Sequence, residues 1–248
     1  MICPNELSPA ANNLITYYPF PRPAEFHDDF PQTGVRFCDI LPVLRDPIAF
    51  ESLITHLLHH IFNVTLPKLR EGAKDPRAVK IDAVVGLDAR GFLFGPQLAQ
   101  RLGAAFLPVR KRGKLPGENV QAEYIKEYGK VRTMTGTRTY GSQRRIILSA
   151  MDAVVADVFV PYLILQDVFE LPSRSIATTH GGPANVIIVD DLIATGGSAG
   201  AAGELVRKVG AKTVEYLFVV AIPFLKGEEK LDAPSYQCVS QRLFEWSH

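Results

Sequence analysis

The chain of 248 residues is long enough for one α/β domain with a sizeable core, and too short for two well-supported domains. Its 27 basic and 26 acidic residues give a formal net charge of +1, so the composition predicts no nucleic-acid partner and no binding to an anionic membrane. The three cysteines stand far apart without a Cys-x-x-Cys pair, which is typical of a reducing compartment and excludes a cysteine-based zinc site.

The N-terminal stretch lacks the features of a signal peptide, and no apolar run reaches the length of a membrane span. We therefore expect a cytoplasmic protein without a membrane partner. Residues 1–28 are rich in proline and follow neither a helical nor a strand period, which predicts an extended or disordered arm. In the next segment, the ring of Phe37 either stacks on a flat ligand or belongs to the core.

Asp46 and Pro47 predict the start of a helix, because apolar residues then recur at spacings of three and four. His56, His59 and His60 lie on this helix at a spacing that is compatible with a metal site. Neither an acid nor a cysteine accompanies them in the sequence. We therefore expect the histidines to form a solvated face.

A βαβ unit is predicted from the strands Ile81–Leu87 and Ala104–Val109 and the helix Leu93–Leu102. Arg90 lies in the turn after the first strand. Open α/β sheets bind their ligands at the carboxyl ends of the strands, so Arg90 is a candidate anion ligand.

The basic run Arg110–Lys114 places four cations within five residues at the end of the second strand. A short basic segment is also compatible with a solvated loop or a nuclear-localisation patch. Its position at the same sheet edge favours a pyrophosphate ligand or a mobile lid. The polar segment Glu118–Lys130 that follows is a candidate to close over a substrate.

A strand buried on both faces is predicted over Val186–Val189. The two carboxylates that follow, Asp190 and Asp191, are called the acidic pair and are expected to end this strand. The small residues of the phosphate loop, Ala194–Ser198, then lead into a predicted helix, Ala199–Val209. Backbone amides at such a helix start bind phosphate. The alternative is an ordinary strand, turn and helix.

Neither the dinucleotide pattern Gly-x-Gly-x-x-Gly nor the P-loop pattern occurs at the phosphate loop. Carboxylates just before such a loop suit the hydroxyl groups of a sugar whose phosphate the loop holds. Thr213–Ala221 predict a last strong strand, and residues 234–248 carry no pattern that assigns them.

These motifs together resemble the adenine phosphoribosyltransferases of the type I phosphoribosyltransferase family. The similarity implies an α/β fold with a central, mostly parallel twisted sheet, helices on both faces and a small N-terminal hood, as a single domain over residues 29–233. The segments that carry it are Gly86–Pro96, Val109–Gly117, Glu127–Gly129 and the phosphate loop.

The resemblance implies transfer of a ribosyl phosphate from phosphoribosyl pyrophosphate (PRPP) to N9 of adenine, giving AMP and diphosphate in purine salvage. Departure of the diphosphate builds positive charge on the ribose and negative charge on the leaving group, which suits carboxylates under the sugar and cations opposite. Mg²⁺ is the implied cofactor, held mainly by substrate oxygens rather than directly by the protein. A homodimer and a cis peptide bond at Asp88–Ala89 are also implied.

The resemblance also assigns roles to individual residues. The 5′-phosphate of PRPP is held by Ala194, Thr195, Gly196, Gly197 and Ser198, and the ribose hydroxyls face Asp190 and Asp191. The diphosphate is held by Arg90, Arg110 and Lys114, and Arg90 is also placed in the catalytic centre. Glu127 matches the catalytic glutamate that donates to N7 of adenine, with Tyr128 in the lid, while adenine lies against Phe37 and is recognised by the backbone of Arg36 and Cys38.

The chain departs from the family pattern at three places. Ser198 replaces the usual threonine, the N-terminal helix is not recognisable in residues 1–28, and residues 131–166 form an atypical insert. Val131-Arg132 can be encoded as GTG-AGG and Gln166 as CAG, the two ends of a spliceosomal intron. The insert is therefore either a retained intron translated in frame or a genuine lineage-specific insertion.

Two other functions are compatible with the same motifs. A PRPP-binding regulatory or catalytically impaired homologue needs the phosphate loop, but it has no use for Glu127. The other is a phosphoribosyltransferase that acts on another base.

Overall fold

The structure, a computed structural model, describes residues 25–28, 36–125, 166–173, 176 and 182–240. Within these ranges the strands are β1 Glu25–Asp28, β2 Arg36–Asp39, β3 Ala83–Leu87, β4 Ala105–Lys111, β5 Asn119–Ile125, β6 Gln166–Pro172, β7 Asn185–Ile193, β8 Lys212–Ala221 and β9 Ser235–Ser240. Seven of them form one sheet in the order β5-β6-β4-β3-β7-β8-β9, and β1 and β2 form a separate antiparallel pair.

The large sheet is parallel from β4 through β3, β7 and β8 to β9, and β6 is antiparallel to both β4 and β5. This confirms the predicted mostly parallel sheet. The α-helices are α1 Leu41–Arg45, α2 Pro47–His60, α3 Leu66–Arg70, α4 Gly91–Leu102 and α5 Gly197–Lys208. None of the helices in the described ranges is long and apolar enough to cross a membrane.

Helices cover both faces of the sheet, and β7 contributes to the core on each side. Val186 and Ile188 belong to the same core cluster as α5, whereas Ile187 and Val189 belong to the cluster that contains α2 and α4. Successive residues of a strand point to opposite faces, so four consecutive apolar residues require cover on both sides. The predicted doubly covered strand is confirmed.

The prediction that the acidic pair ends this strand is wrong. β7 continues to Ile193, because the long strand β8 keeps pairing with it as far as the register Ile193↔Ala221. Backbone hydrogen bonding from a neighbouring strand therefore outweighs the low strand preference of aspartate. The acidic pair lies within β7, and the phosphate loop follows directly.

Regular structure begins and ends outside the expected domain limits. β1 starts at Glu25, inside the segment predicted as an arm, and residues 1–24 lie outside the described part. β9 pairs in parallel with β8, so the sheet extends into the segment that the sequence left unassigned. Both strands are short, which leaves too little alternation for a prediction.

The predicted solvated face of histidines is wrong for two of the three. The His60 ring stacks on Tyr236 with centroids 3.6 Å apart, and its Nε2 lies 3.0 Å from Glu215 Oε1. His56 Nε2 lies 2.6 Å from the hydroxyl of the same tyrosine. These partners come from β8 and β9, so the local sequence could not reveal them. No group of three or more potential ligands in the described ranges is arranged to hold a metal.

Candidate active site

Three strand ends bring the predicted site segments to one edge of the sheet. β3 lies between β4 and β7, with Leu87 in register with Val109 and Gly86 in register with Val189. The amide of Asp88 donates to the carbonyl of Val109 over 3.0 Å, which joins the turn after β3 to the end of β4. The turn containing Arg90, the basic run and the phosphate loop therefore all follow the carboxyl ends of adjacent parallel strands.

The phosphate loop connects β7 to α5 through Gly196, whose φ of 77° is a left-handed conformation that favours glycine. Helix α5 starts at Gly197, and no side chain of the described residues caps it. Outside helices and strands in the described chain, no backbone carbonyl accepts from the amides of residues 195–198. These amides and the positive end of the helix dipole can therefore bind a phosphate dianion.

Gly227 supports the phosphate loop from behind. A β-carbon on Gly227 would lie 2.3 Å from the carbonyl oxygen of Ala194, and one on Gly196 would lie 2.1 Å from the carbonyl oxygen of Gly227. The two backbones therefore approach more closely than any side chain allows. Gly227 follows the last strong strand and was not predicted as part of the site.

The acidic pair meets Arg90 beside the phosphate loop. Arg90 Nη1 lies 2.8 Å from Asp191 Oδ2, and the Asp191 side chain is only 7% exposed while that of Arg90 is 41% exposed. Asp190 Oδ1 accepts from the Asp191 amide over 2.9 Å. Arg90, which the resemblance assigned to the diphosphate, is thus in contact with Asp191, which it assigned to the ribose hydroxyls.

Both carboxyl groups of the acidic pair are less acidic than ordinary aspartates. Burial raises the pKa of Asp190 well above its usual value, and the adjacent charge of Asp191 raises it further. Burial also raises the pKa of Asp191, whereas the Arg90 guanidinium opposes that rise. Oxygen-rich, partly desolvated groups of this kind accept hydrogen bonds from sugar hydroxyls readily.

Arg110 connects the turn after β3 to the basic run. Its Nε donates to Asp88 Oδ2 over 3.1 Å, and its Nη1 donates to the Lys114 carbonyl over 3.3 Å. The peptide bond Asp88–Ala89 is cis, as the resemblance implied. The Lys114 side chain itself is exposed at the sheet edge.

A buried carboxylate that the sequence did not single out lies under the basic run. Glu170 on β6 is 3% exposed and accepts from the amides of Lys114 and Leu115. An acid between Phe169 and Leu171, inside the otherwise apolar run 168–172, is the signal that identifies it.

The remaining predicted site residues lack described side chains. Arg36, Phe37 and Cys38 lie in β2, where only their backbone is described, and Cys38 pairs in register with Phe26. Glu127 and Tyr128 lie outside the described residues, as does the insert from 131 to 165. The strands on either side of that gap pair with each other, with Ile125 opposite Gln166.

Comparison with known proteins gives the class and then the family. The profile of the "Phosphoribosyl transferase domain" matches residues 72–248. Together with the fold and the phosphate loop after an acidic pair, this match defines a phosphoribosyltransferase. The chain is 42% identical over 214 residues to adenine phosphoribosyltransferase from Yarrowia lipolytica, covering 86% of this chain and 90% of the relative. It is 41% identical over 210 residues to adenine phosphoribosyltransferase 1 from Saccharomyces cerevisiae, covering 85% of each. The chain belongs to the adenine phosphoribosyltransferase family.

Solved structures agree with this assignment. The crystal structure of the Saccharomyces cerevisiae enzyme complexed with D-2,5-dideoxy-2,5-imino-altritol 1,6-bisphosphate and adenine superposes with a TM-score of 0.66 at 38% identity, covering 92% of this chain and 98% of that one. Adenine phosphoribosyltransferase from Thermoanaerobacter pseudethanolicus gives a TM-score of 0.59 at 32% identity, covering 88% and 96%.

Proposed function

We propose that the protein transfers the ribosyl phosphate of PRPP to N9 of adenine, releasing AMP and diphosphate in purine salvage. The observation that carries the proposal is the contact of Arg90 with Asp191 beside the phosphate loop, in a chain of the adenine phosphoribosyltransferase family. The ligand of the similar Saccharomyces cerevisiae structure, a bisphosphate of a sugar-like ring with adenine alongside, is consistent with such a site.

The sheet edge suits the charges that develop during the reaction. In this proposal the amides of Ala194–Ser198 hold the 5′-phosphate, and the acidic pair accepts hydrogen bonds from the ribose hydroxyls as C1′ becomes positive. Arg90, Arg110 and Lys114 stabilise the diphosphate as the C1′–O bond breaks. Binding of PRPP requires the Arg90 guanidinium to exchange Asp191 for a diphosphate oxygen, or to contact both.

Recognition of adenine and activation of its ring are assigned to residues known here from the sequence. We propose that the Phe37 ring stacks on adenine, that the backbone of Arg36 and Cys38 recognises its edge, and that Tyr128 belongs to the segment closing over the site. Glu127, as a neutral carboxylic acid, donates to N7 while N9 attacks C1′. It follows β5 by two residues, and β5 runs in the same direction as β4, whose carboxyl end forms the site.

Mg²⁺ is the proposed cofactor. PRPP would supply most of the hard oxygen ligands that Mg²⁺ prefers, and no residue is assigned as a direct ligand, although the carboxylates of Asp190 and Asp191 are oxygen groups of the same kind. When bound, the ion neutralises charge on the diphosphate. Chelation of Mg²⁺ should abolish turnover, and its return should restore turnover.

A homodimer, implied by the resemblance, and a cytoplasmic location are also proposed. The protein is a homodimer, and exposed apolar side chains such as Leu41 and Ile48 at the start of α1 and α2 are candidates for its interface. Sedimentation at concentrations near those of the activity assay tests the dimer. A cytoplasmic location is also proposed, since three cysteines that stand far apart without a Cys-x-x-Cys pair are typical of a reducing compartment, and microscopy of a tagged chain tests it.

A substrate panel tests the proposed reaction. The protein is incubated with PRPP, Mg²⁺ and adenine, hypoxanthine, guanine or orotate in turn, and nucleotide products are separated. AMP alone supports the proposal. A different nucleotide supports a phosphoribosyltransferase for another base, and the absence of any product supports a PRPP-binding homologue without catalysis.

We also propose that residues 131–166 are a retained intron. The register Tyr124↔Asp167 supports this, because a chain joining Lys130 directly to Asp167 would still connect two paired strands through residues 125–130. Sequencing of cDNA tests it. A spliced transcript with that junction supports the intron, and a dominant unspliced transcript supports a lineage-specific insertion.

A further inference from the structure

The basic run gathers four positive charges, and their mutual repulsion disfavours any conformation that keeps them close together. Arg110, Lys111, Arg112 and Lys114 are the cations, and all but the half-buried Arg110 are exposed. Such a turn binds a polyanion well only when its cations are already placed, because ordering them on binding reduces the affinity. The structure shows what holds the turn.

Lys114 is fixed at both of its backbone groups. Its amide donates to Glu170 Oε1 over 2.9 Å, and its carbonyl accepts from Arg110 Nη1 over 3.3 Å. The amide of Leu115 donates to the same Glu170 oxygen over 2.8 Å. Arg112 is tied to the same strand, because its amide donates to the Val168 carbonyl over 2.8 Å.

Glu170 is a buried carboxylate between two apolar core residues. It sits at 3% exposure between Phe169 and Leu171, both in the core. A buried charge is unfavourable unless it is hydrogen-bonded and compensated. The two turn amides supply the hydrogen bonds, and its register partner on β4 is Arg110, the first cation of the run.

We propose that Glu170 is a positioning residue that holds the basic run in the conformation that binds the diphosphate end of PRPP. The inference rests on the proposed function, because it takes the diphosphate as the ligand of this turn. It assigns Glu170 no contact with substrate. Its effect is exerted through the backbone at Lys114 and Leu115, and it should therefore appear in substrate affinity more than in turnover.

Variants of Glu170 test this proposal. Glu170→Met keeps the length of the side chain and removes the acceptor, whereas Glu170→Gln keeps one oxygen that can accept both amides. We expect Glu170→Met to raise KM for PRPP and Kd for diphosphate by roughly 10- to 100-fold. Its KM for adenine, its Kd for AMP and its kcat should change little, and Glu170→Gln should recover most of the affinity.

Glu215→Met is the matched control. Glu215 on β8 is also a buried carboxylate, 7% exposed, and its two oxygens interact with Thr65 and His60, away from the basic run. A comparable loss of Tm with unchanged diphosphate affinity is expected for it. If Glu170→Met binds diphosphate as tightly as the wild type, or if both variants weaken it equally, Glu170 is merely structural.

Direct calorimetry separates this inference from the proposed function. A wild-type protein that binds neither PRPP nor diphosphate would overturn the function itself. Wild-type binding combined with unaltered binding in the Glu170 variants would overturn only the positioning role. Should Glu170→Met not fold, Glu170→Leu replaces it, because leucine also fills the site without an acceptor: a selective loss of diphosphate affinity supports the role, and wild-type affinity contradicts it.

Discussion

At the acidic pair, a side chain proposed to bind the substrate lowers the stability of the folded protein. Asp190 has a pKa raised by burial and by the charge of Asp191, so the folded protein binds a proton at this site more tightly than the unfolded chain does. Stability from such a group is fully present below the unfolded value of 3.8 and is lost as the pH rises through the folded pKa. Ionisation of Asp190, which the proposed binding of sugar hydroxyls uses, therefore lowers the stability of the protein toward neutral pH.

Asp190→Asn should stabilise the free protein and impair the enzyme. We expect its Tm at neutral pH to rise by roughly 2–4 °C, corresponding to about 1 kcal/mol, because the buried charge and its repulsion of Asp191 disappear. The kcat/KM for PRPP should fall roughly 10- to 100-fold with loss of a charged acceptor. Asp191→Asn is the comparison, since it also removes the partner of Arg90 and should gain less stability. A drop in the Tm of Asp190→Asn at neutral pH would contradict the argument.

Gly227→Ala should weaken PRPP binding without touching a ligand. The added β-carbon would lie 2.3 Å from the Ala194 carbonyl oxygen, so the phosphate loop must shift. We expect KM for PRPP and Kd for AMP both to rise roughly 10-fold or more, because both ligands carry the 5′-phosphate. The control is Gly200→Ala in α5, where the added β-carbon would lie 3.5 Å from the Lys230 carbonyl oxygen, an ordinary van der Waals contact. Equal kinetics for the two variants would show that Gly227 does not support the loop.

Among the structural elements, α2 is tied to the far edge of the sheet through histidines. Burial lowers the pKa of His56, and the nearby His60 and His59 lower it further. The groups facing this cluster from other elements are Tyr236 on β9 and Glu215 on β8. Because the folded protein resists protonation of His56, the unfolded chain binds the proton more readily. Stability should therefore fall as the pH falls through about 6.5.

His56→Gln should flatten the acid side of the stability profile. The change is measured as Tm against pH between about pH 7.5 and 5.5, the range in which histidine titrates. Glutamine can still hydrogen-bond the Tyr236 hydroxyl but carries no titrating group. His59→Gln, at an exposed position on the same helix, is the control. If both variants flatten the profile equally, the burial of His56 is not the cause.

How far sequence predicts each element depends on whether its signal is local. Four consecutive β-branched residues predicted the strand β7, and the spacing of apolar residues predicted the helix α2. The motif around Arg90 predicted that ligands bind at the carboxyl ends of the strands. Interactions between residues far apart in the sequence could not be predicted. The His60 ring contacts Glu215, and the Lys114 amide donates to Glu170, only after the sheet forms. The length of β7 beyond the acidic pair likewise depends on its neighbour β8.

On the scale of the whole molecule, the order of strands explains how a large insert is compatible with the fold. β6 lies between β4 and β5, and its residues Phe169 and Leu171 contribute to the core while Glu170 supports the basic run. The insert enters where β5 ends and leaves where β6 begins, at the register Ile125↔Gln166. Changes of length between Ile125 and Asp167 leave the pairing from Tyr124↔Asp167 to Asn119↔Pro172 intact.

Deleting residues 131–166 should therefore give a folded and active protein. Lys130 then joins Asp167, and Tyr124 still faces Asp167 across the hairpin. We expect Tm to stay the same or rise, because each halving of the length of a connecting loop lowers the entropic free-energy cost of closing it by about 0.6 kcal/mol. The kcat/KM for adenine should be at least that of the full chain.

A shifted deletion of residues 126–161 separates loop length from chemistry. It leaves a connection of the same length between Tyr124 and Asp167 but removes Glu127, the proposed donor to N7. We expect the same Tm as for the first deletion and almost no AMP formation, while PRPP and diphosphate still bind. Activity equal to that of the first deletion would remove Glu127 from the mechanism. Failure of both deletions to fold would show instead that the insert is an integral part of the domain, which would exclude the retained intron and favour a lineage-specific insertion.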